Sequence, residues 1–147
     1  MNPSSLAYDR HYGEIYVADT GNNRVVIFDR TGNYVFEFSD RLRLASPRMI
    51  ATDSLGHILA LCDRTAYHIE VFDYNGTFLR DIALVSPHGD SLVTASSFAI
   101  DDSDRVYVLT GEPGHVFVYA TDGTPLRDFA IFQEFKKLLN WKYLQNY

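Results

Sequence analysis

Two histidines stand at the start of equivalent apolar runs, in His68-Ile69-Glu70-Val71-Phe72 and His115-Val116-Phe117-Val118-Tyr119. Imidazoles converging from equivalent positions could hold a divalent cation, which makes His68 and His115 candidate ligand or metal residues. The pattern goes no further. The matching place in the first run of this kind is Arg24, and no H-x-E, H-E-x-x-H or C-x-x-C spacing accompanies the pair. A serine in G-x-S-x-G and a glycine-rich phosphate loop opening a helix are likewise missing from the chain. The single cysteine, Cys62, follows Leu61 late in a predicted strand and reads as a packed thiol; alone, it excludes an intrachain disulfide. The reading is therefore no catalytic residue, no cofactor and no bound metal.

A second constellation has a structural task. Asp19, Asn22, Asn23 and Arg24 fall within six residues. A carboxylate opening a loop accepts backbone and side-chain hydrogen bonds, asparagines tolerate the left-handed conformation, and a guanidinium five residues on can return to the carboxylate. The expected result is a clasp that stiffens the loop. Asp63 and His68 keep that five-residue spacing, with Thr65-Ala66-Tyr67 in place of Gly-Asn-Asn. The third equivalent, Gly111-Glu112-Pro113-Gly114 before His115, has lost the aspartate. A lone His88, in the long connection Ser86-Pro87-His88-Gly89-Asp90, reads as solvated.

These residues recur because the chain recurs. GEIYVADTGNNRVVIFDRTGNYVFEF from Gly13, GHILALCDRTAYHIEVFDYNGTFLRDI from Gly56 and DRVYVLTGEPGHVFVYATDGTPLRDF from Asp104 are three versions of one unit. Asp9, Asp53 and Asp101 open equivalent turns, and Gly32, Gly76 and Gly123 sit in equivalent hairpins. A period in the forties with strand patterning indicates propeller blades. The second unit predicts four strands, Met49–Thr52, His57–Cys62, His68–Phe72 and Thr77–Ile82, with Asn75-Gly76 supplying the positive φ of a tight hairpin. Runs such as Ile15-Tyr16-Val17-Ala18 are apolar on both faces, as expected where each sheet is sandwiched between neighbours. The predicted fold is all-β, a β-propeller of three four-stranded blades at about 3–38, 47–82 and 95–129, followed by a C-terminal α-helix over 131–147.

The stretch from Gly13 to Asp29, GEIYVADTGNNRVVIFD, resembles the NHL repeat almost letter for letter. The resemblance covers residues 3 to about 129 and weakens along the chain. It implies a six-bladed β-propeller serving as a protein-interaction or RNA-binding platform, with lyases and other enzymes a minority of the family. A third histidine matching His68 and His115, which would favour the lyase members, is lacking.

Three blades do not close a ring. The outer faces of the first and third would expose apolar area that soluble monomers normally hide. Two copies give the six blades that the resemblance implies, so the expected assembly is a C2 homodimer; the alternatives are that blades of a longer chain complete the ring, or that the three blades stay open with the C-terminal segment shielding one end. Ile131, Phe132, Phe135, Leu138, Leu139, Tyr143 and Tyr147 form the apolar stripe of the expected helix, with Asp128 as its N-cap. Trp141 and Leu144 lie off that stripe and are interface candidates.

Net charge is −6. That excludes DNA as a partner and argues against RNA, because such binding draws on cationic groups that displace counterions. No apolar run reaches membrane-spanning length. The N-terminal MNPSSLAYDR has neither a basic nor an apolar leader region, which favours the cytoplasm. The function expected is a non-catalytic scaffold binding a protein or a small ligand, with a metal-dependent lyase or hydrolase in the central channel, or an RNA-binding propeller, as alternatives.

Overall fold

The computed structural model describes residues 2–65, 67–89, 91–111 and 114–131. Among these residues twelve strands form three antiparallel meanders. Blade one comprises β1 (Ser5–Asp9), β2 (Glu14–Asp19), β3 (Arg24–Asp29) and β4 (Tyr34–Phe38). Blade two comprises β5 (Pro47–Thr52), β6 (Ile58–Cys62), β7 (His68–Phe72) and β8 (Phe78–Ala83). Blade three comprises β9 (Ala95–Ile100), β10 (Val106–Thr110), β11 (His115–Tyr119) and β12 (Pro125–Ala130). Strand order within each sheet follows chain order.

The blades stack through alternate residues of each strand. On blade one, Ala7, Tyr16, Ile27 and Phe36 lie in register across the sheet and face blade two. They meet Ile50, Ile58, Ala60, Cys62 and Phe72. The other face of blade two presents Leu59, Leu61, Ile69, Val71 and Ile82 to Phe98, Val106, Val108 and Tyr119 of blade three. Blade two is thus buried on both sides, which is why β6 reads Ile-Leu-Ala-Leu-Cys without a polar interruption. Each fully buried large side chain contributes about 1.5–3 kcal/mol relative to exposure.

Strand polarity sorts the connections. The β1–β2 and β3–β4 type turns share one end of the stack; the β2–β3 type loops and the blade-to-blade connections share the other. At the first end, aspartates organise the turns: Asp29 Oδ1 accepts from the Thr31 and Asn33 amides, Asp53 Oδ1 from Leu55 and His57, and Asp101 Oδ1 from Ser103 and Arg105, at 2.8–3.0 Å.

Several boundaries differ from those expected from the sequence: β6 begins at Ile58 rather than His57, and β8 runs Phe78–Ala83 rather than Thr77–Ile82. Strand β5 begins at Pro47, with the register shifting between Pro47 and Met49. Arg48, in that irregularity, extends its guanidinium to the Ala95 and Ser96 carbonyls of blade three. Asp128 is not a helix N-cap. It lies within β12 opposite Phe117, because the β11–β12 ladder continues to the His115–Ala130 pair. Ile131 is the first helical residue. The rest of the helix expected over 131–147, with Trp141 and Leu144, lies outside the described residues.

Candidate functional site

The loop end carries the residues singled out in the sequence. In blade one a short 3-10 turn, Thr20–Asn22, follows β2, and Asn23 closes it at φ 53°, in the left-handed region. Asp19 is buried beneath this turn. Its Oδ2 accepts from Asn22 Nδ2 and Arg24 Nε, both at 2.8 Å, and its Oδ1 from the Asn2 amide at 3.2 Å. Burial alone would raise the Asp19 carboxyl, but the hydrogen bonds from Asn22, Arg24 and Asn2 hold it below the usual carboxylate range. The clasp also anchors blade two. Asn23 Oδ1 accepts the Ser46 amide at 2.7 Å, and Thr20 Oγ1 donates to the Pro47 carbonyl at 2.6 Å.

Blade two spends the equivalent residues differently. Asp63 is more than half exposed and pairs with Arg48 Nε at 3.2 Å, while His68 Nε2 lies 3.8 Å from Asp81. In blade three His115 Nδ1 lies 3.5 Å from Asp128 Oδ2. The basic residue that opens the third strand of each blade faces an acid thirteen residues later on the fourth: Arg24 with Glu37 at 2.8 Å, His68 with Asp81, and His115 with Asp128. Antiparallel register produces it, since those two positions sit diagonally across the hairpin. The signal was available as three equal spacings.

His68 and His115 each lie beside the acid of their own blade, at 3.8 and 3.5 Å. Among the described residues no group of three His, Cys, Asp or Glu converges to hold a metal ion. Besides His115, Asp128 has a second imidazole nearby, His88, whose Nε2 lies 3.8 Å from Asp128 Oδ1. These three line a cleft of about 660 Å3 between blade three and the connection before it, together with Leu92, Val93 and Phe117.

At the opposite end the innermost strands β1, β5 and β9 surround a polar cavity of about 600 Å3, rimmed by Arg10, His11, Asp53, Ser54 and Asp104. Its rim is bound across blades: Asp104 accepts from Ser54 N at 2.8 Å and Ser54 Oγ at 2.5 Å, and Arg10 meets Asp102 at 3.2 Å. Every one of these carboxylates already has a partner.

Comparison with known proteins bears on the fold. The NHL repeat description matches residues 1–28. Over 136 residues the chain is 26% identical to the Protein brain tumor of Drosophila melanogaster, an alignment covering 87% of this chain and 12% of that protein. Hydrazine synthase of Kuenenia stuttgartiensis superposes with a TM-score of 0.65 at 15% identity, over 88% of this chain and 37% of that one. A streptogramin B lyase gives 0.64 at 16% identity, over 88% and 41%. The chain therefore spans well under half the length of each, and at such identities the solved structures speak for architecture alone. With a repeat match over residues 1–28, a fly relative at 26% identity and a stack of four-stranded meanders, this chain carries an NHL repeat and has the blade architecture of β-propellers.

Proposed function

We propose that the chain is a non-catalytic binding scaffold and that a second copy completes its ring to six blades. One observation carries this reading: the outer faces of blades one and three repeat the apolar pattern of the buried faces and expose several of its large residues, while Val26 and Val118 near the centres of those faces are buried. Leu6, Tyr8 and Tyr34 of blade one are 69%, 56% and 59% exposed, and Phe129 of blade three is 40% exposed. Their registry partners, Val17 and Ile15 beside Leu6 and Tyr8 and Val116 beside Phe129, lie on the same faces. Blade two shows what such a face does when a neighbour covers it. Packing blade three of each copy on blade one of the other makes two identical junctions about a twofold axis.

The loop end is the surface offered to a protein partner. Its clasp at Asp19–Arg24 is rigid, and rigid loops bind without a large ordering cost. Among the described residues no helix is long and apolar enough to cross a membrane. The charge of −6 favours a partner other than nucleic acid.

Light scattering over a dilution series tests the ring. A mass near twice 16.8 kDa that falls to the monomer value in a Tyr8→Asp/Phe129→Asp variant supports it. A monomer at all concentrations overturns the two-chain ring and favours closure by further blades of a longer polypeptide. The short spans of the relatives covered by this chain support that second reading.

A further inference from the structure

The acid pairs of the three blades are alike in position and unlike in surroundings. Arg24 and Glu37 close on each other at hydrogen-bonding distance. Asp128 instead has an imidazole on either side, His88 Nε2 at 3.8 Å and His115 Nδ1 at 3.5 Å, and both separations exceed hydrogen-bond length. His115 Nδ1 is enclosed and makes no hydrogen bond. The His115 backbone amide is held by Thr110 Oγ1 at 3.1 Å, and its ring stacks on Phe117 with centroids 5.8 Å apart and planes at 25°. The imidazole is thus supported from below while its nitrogen faces an underused carboxylate.

Histidines apart, Asp128 is the one formally charged side chain among the described residues lining the cleft. Leu92, Val93 and Phe117 supply apolar wall, and hydroxyls such as Thr94 and Ser96 complete the lining. An apolar cleft with one anion at its head and an aromatic face beside it fits a cation on an aliphatic stem: the stem packs on the wall, and the charge pairs with the carboxylate near the ring. A phosphate or carboxylate ligand would meet Asp128 with like charge.

We infer that the cleft between blade three and the 84–94 connection binds an alkylammonium group, seated on Asp128 against Phe117 and flanked by His88 and His115. Two sources share that chemistry, a lysine side chain of a protein partner and a free amine. The inference stands on this cleft alone and is independent of how the ring is closed.

The test is a titration followed by NMR at about pH 8, above the range in which histidine ordinarily changes charge. The probes are n-butylammonium chloride, N-acetyl-lysine methylamide and n-butanol. Saturable shifts of the His115 and Phe117 ring signals are expected with an ammonium probe and not with butanol. Asp128→Asn should weaken that binding at least tenfold with the melting temperature unchanged. Tight binding of the lysine amide assigns a partner's side chain; binding of butylammonium alone assigns a free amine. No saturation by either, or equal binding of butanol, overturns the inference. If Asp128→Asn disturbs the fold, the butanol comparison on the native chain still decides.

Discussion

Arg24 Nε donates to Asp19 Oδ2 at 2.8 Å while its NH1 donates to Glu37 Oε2 at the same distance, so one guanidinium joins the loop clasp of blade one to its outermost strand. Asp19 is buried, and Glu37 is not. The first contact therefore carries most of the energy, since exposed pairs contribute about 0–1 kcal/mol. Arg24→Met keeps the aliphatic stem and leaves Asp19 with Asn22 and the Asn2 amide. We expect a loss of about 1–3 kcal/mol in urea unfolding, and a smaller loss for Glu37→Gln. Equal losses for the two would show that the clasp is not the dominant contact.

The three turn aspartates offer an internal control. Four residues after Asp53 stands His57, whose Nδ1 lies 2.8 Å from Asp53 Oδ2, and four after Asp101 stands Arg105, bonded to Asp101 Oδ2 at 2.7 Å. The corresponding residue in blade one is Gly13, and Asp9 Oδ1 is buried without a hydrogen-bond partner. Asp9→Asn removes a buried charge whose Oδ2 accepts the Tyr12 amide at 2.6 Å but whose Oδ1 has no partner, whereas Asp53→Asn breaks a charge-assisted pair. The first should be neutral or stabilising and the second should cost about 1.5–3 kcal/mol by calorimetry. The reverse order would contradict this account.

Glycine positions that look identical in the repeat should respond differently. Gly32 and Gly76 both sit in β3–β4 type hairpins, at φ 88° and 80°. A Cβ on Gly32 meets nothing, while one on Gly76 would drive into the root of the Phe38 side chain, itself packed on Phe72 across the blade junction. Gly32→Ala should cost about 1–2 kcal/mol for the left-handed backbone alone. Gly76→Ala adds overpacking, roughly 1–3 kcal/mol more. Indistinguishable melting temperatures would show that Phe38 moves aside freely.

These contrasts mark what a single sequence could and could not reveal. The blades were legible because hairpin glycines and apolar runs recur with the chain's own period, and β7 begins and ends where the pattern says, at His68 and Phe72. In the sequence Asp128 looks like a helix cap because it is a polar residue before an apolar stretch; its ladder opposite Phe117 makes it a strand residue. His88 reads in the sequence as a solvated loop residue. It is indeed largely exposed, but a loop brings its ring to the same carboxylate as His115, forty residues apart in acid and base, a proximity that no local pattern encodes. Likewise Asp63 and His68 keep the spacing of Asp19 and Arg24 and still take other partners, Arg48 and Asp81.

Acid-dependent stability should divide the carboxylates into two groups of opposite sign. Hydrogen bonds from Thr31 and Asn33 hold Asp29 well below the usual carboxylate range, and those from Arg105 do the same for Asp101. Their contribution is present above the ordinary aspartate value, about 3.9, and is lost as pH falls towards their depressed folded values. Glu70 runs the other way. It is buried at the junction of blades one and two, with Arg43 NH1 3.4 Å away, and burial raises its carboxyl despite that guanidinium. Its protonated form is favoured in the fold, so the native chain loses stability relative to Glu70→Gln as pH rises from the ordinary glutamate value, about 4.3, through the raised folded one. Urea unfolding of both proteins between about pH 3 and pH 8 should show the difference declining across that window and flat above it. A difference that grows with pH would mean that the Arg43 pair outweighs burial and that Glu70 belongs with Asp29 and Asp101.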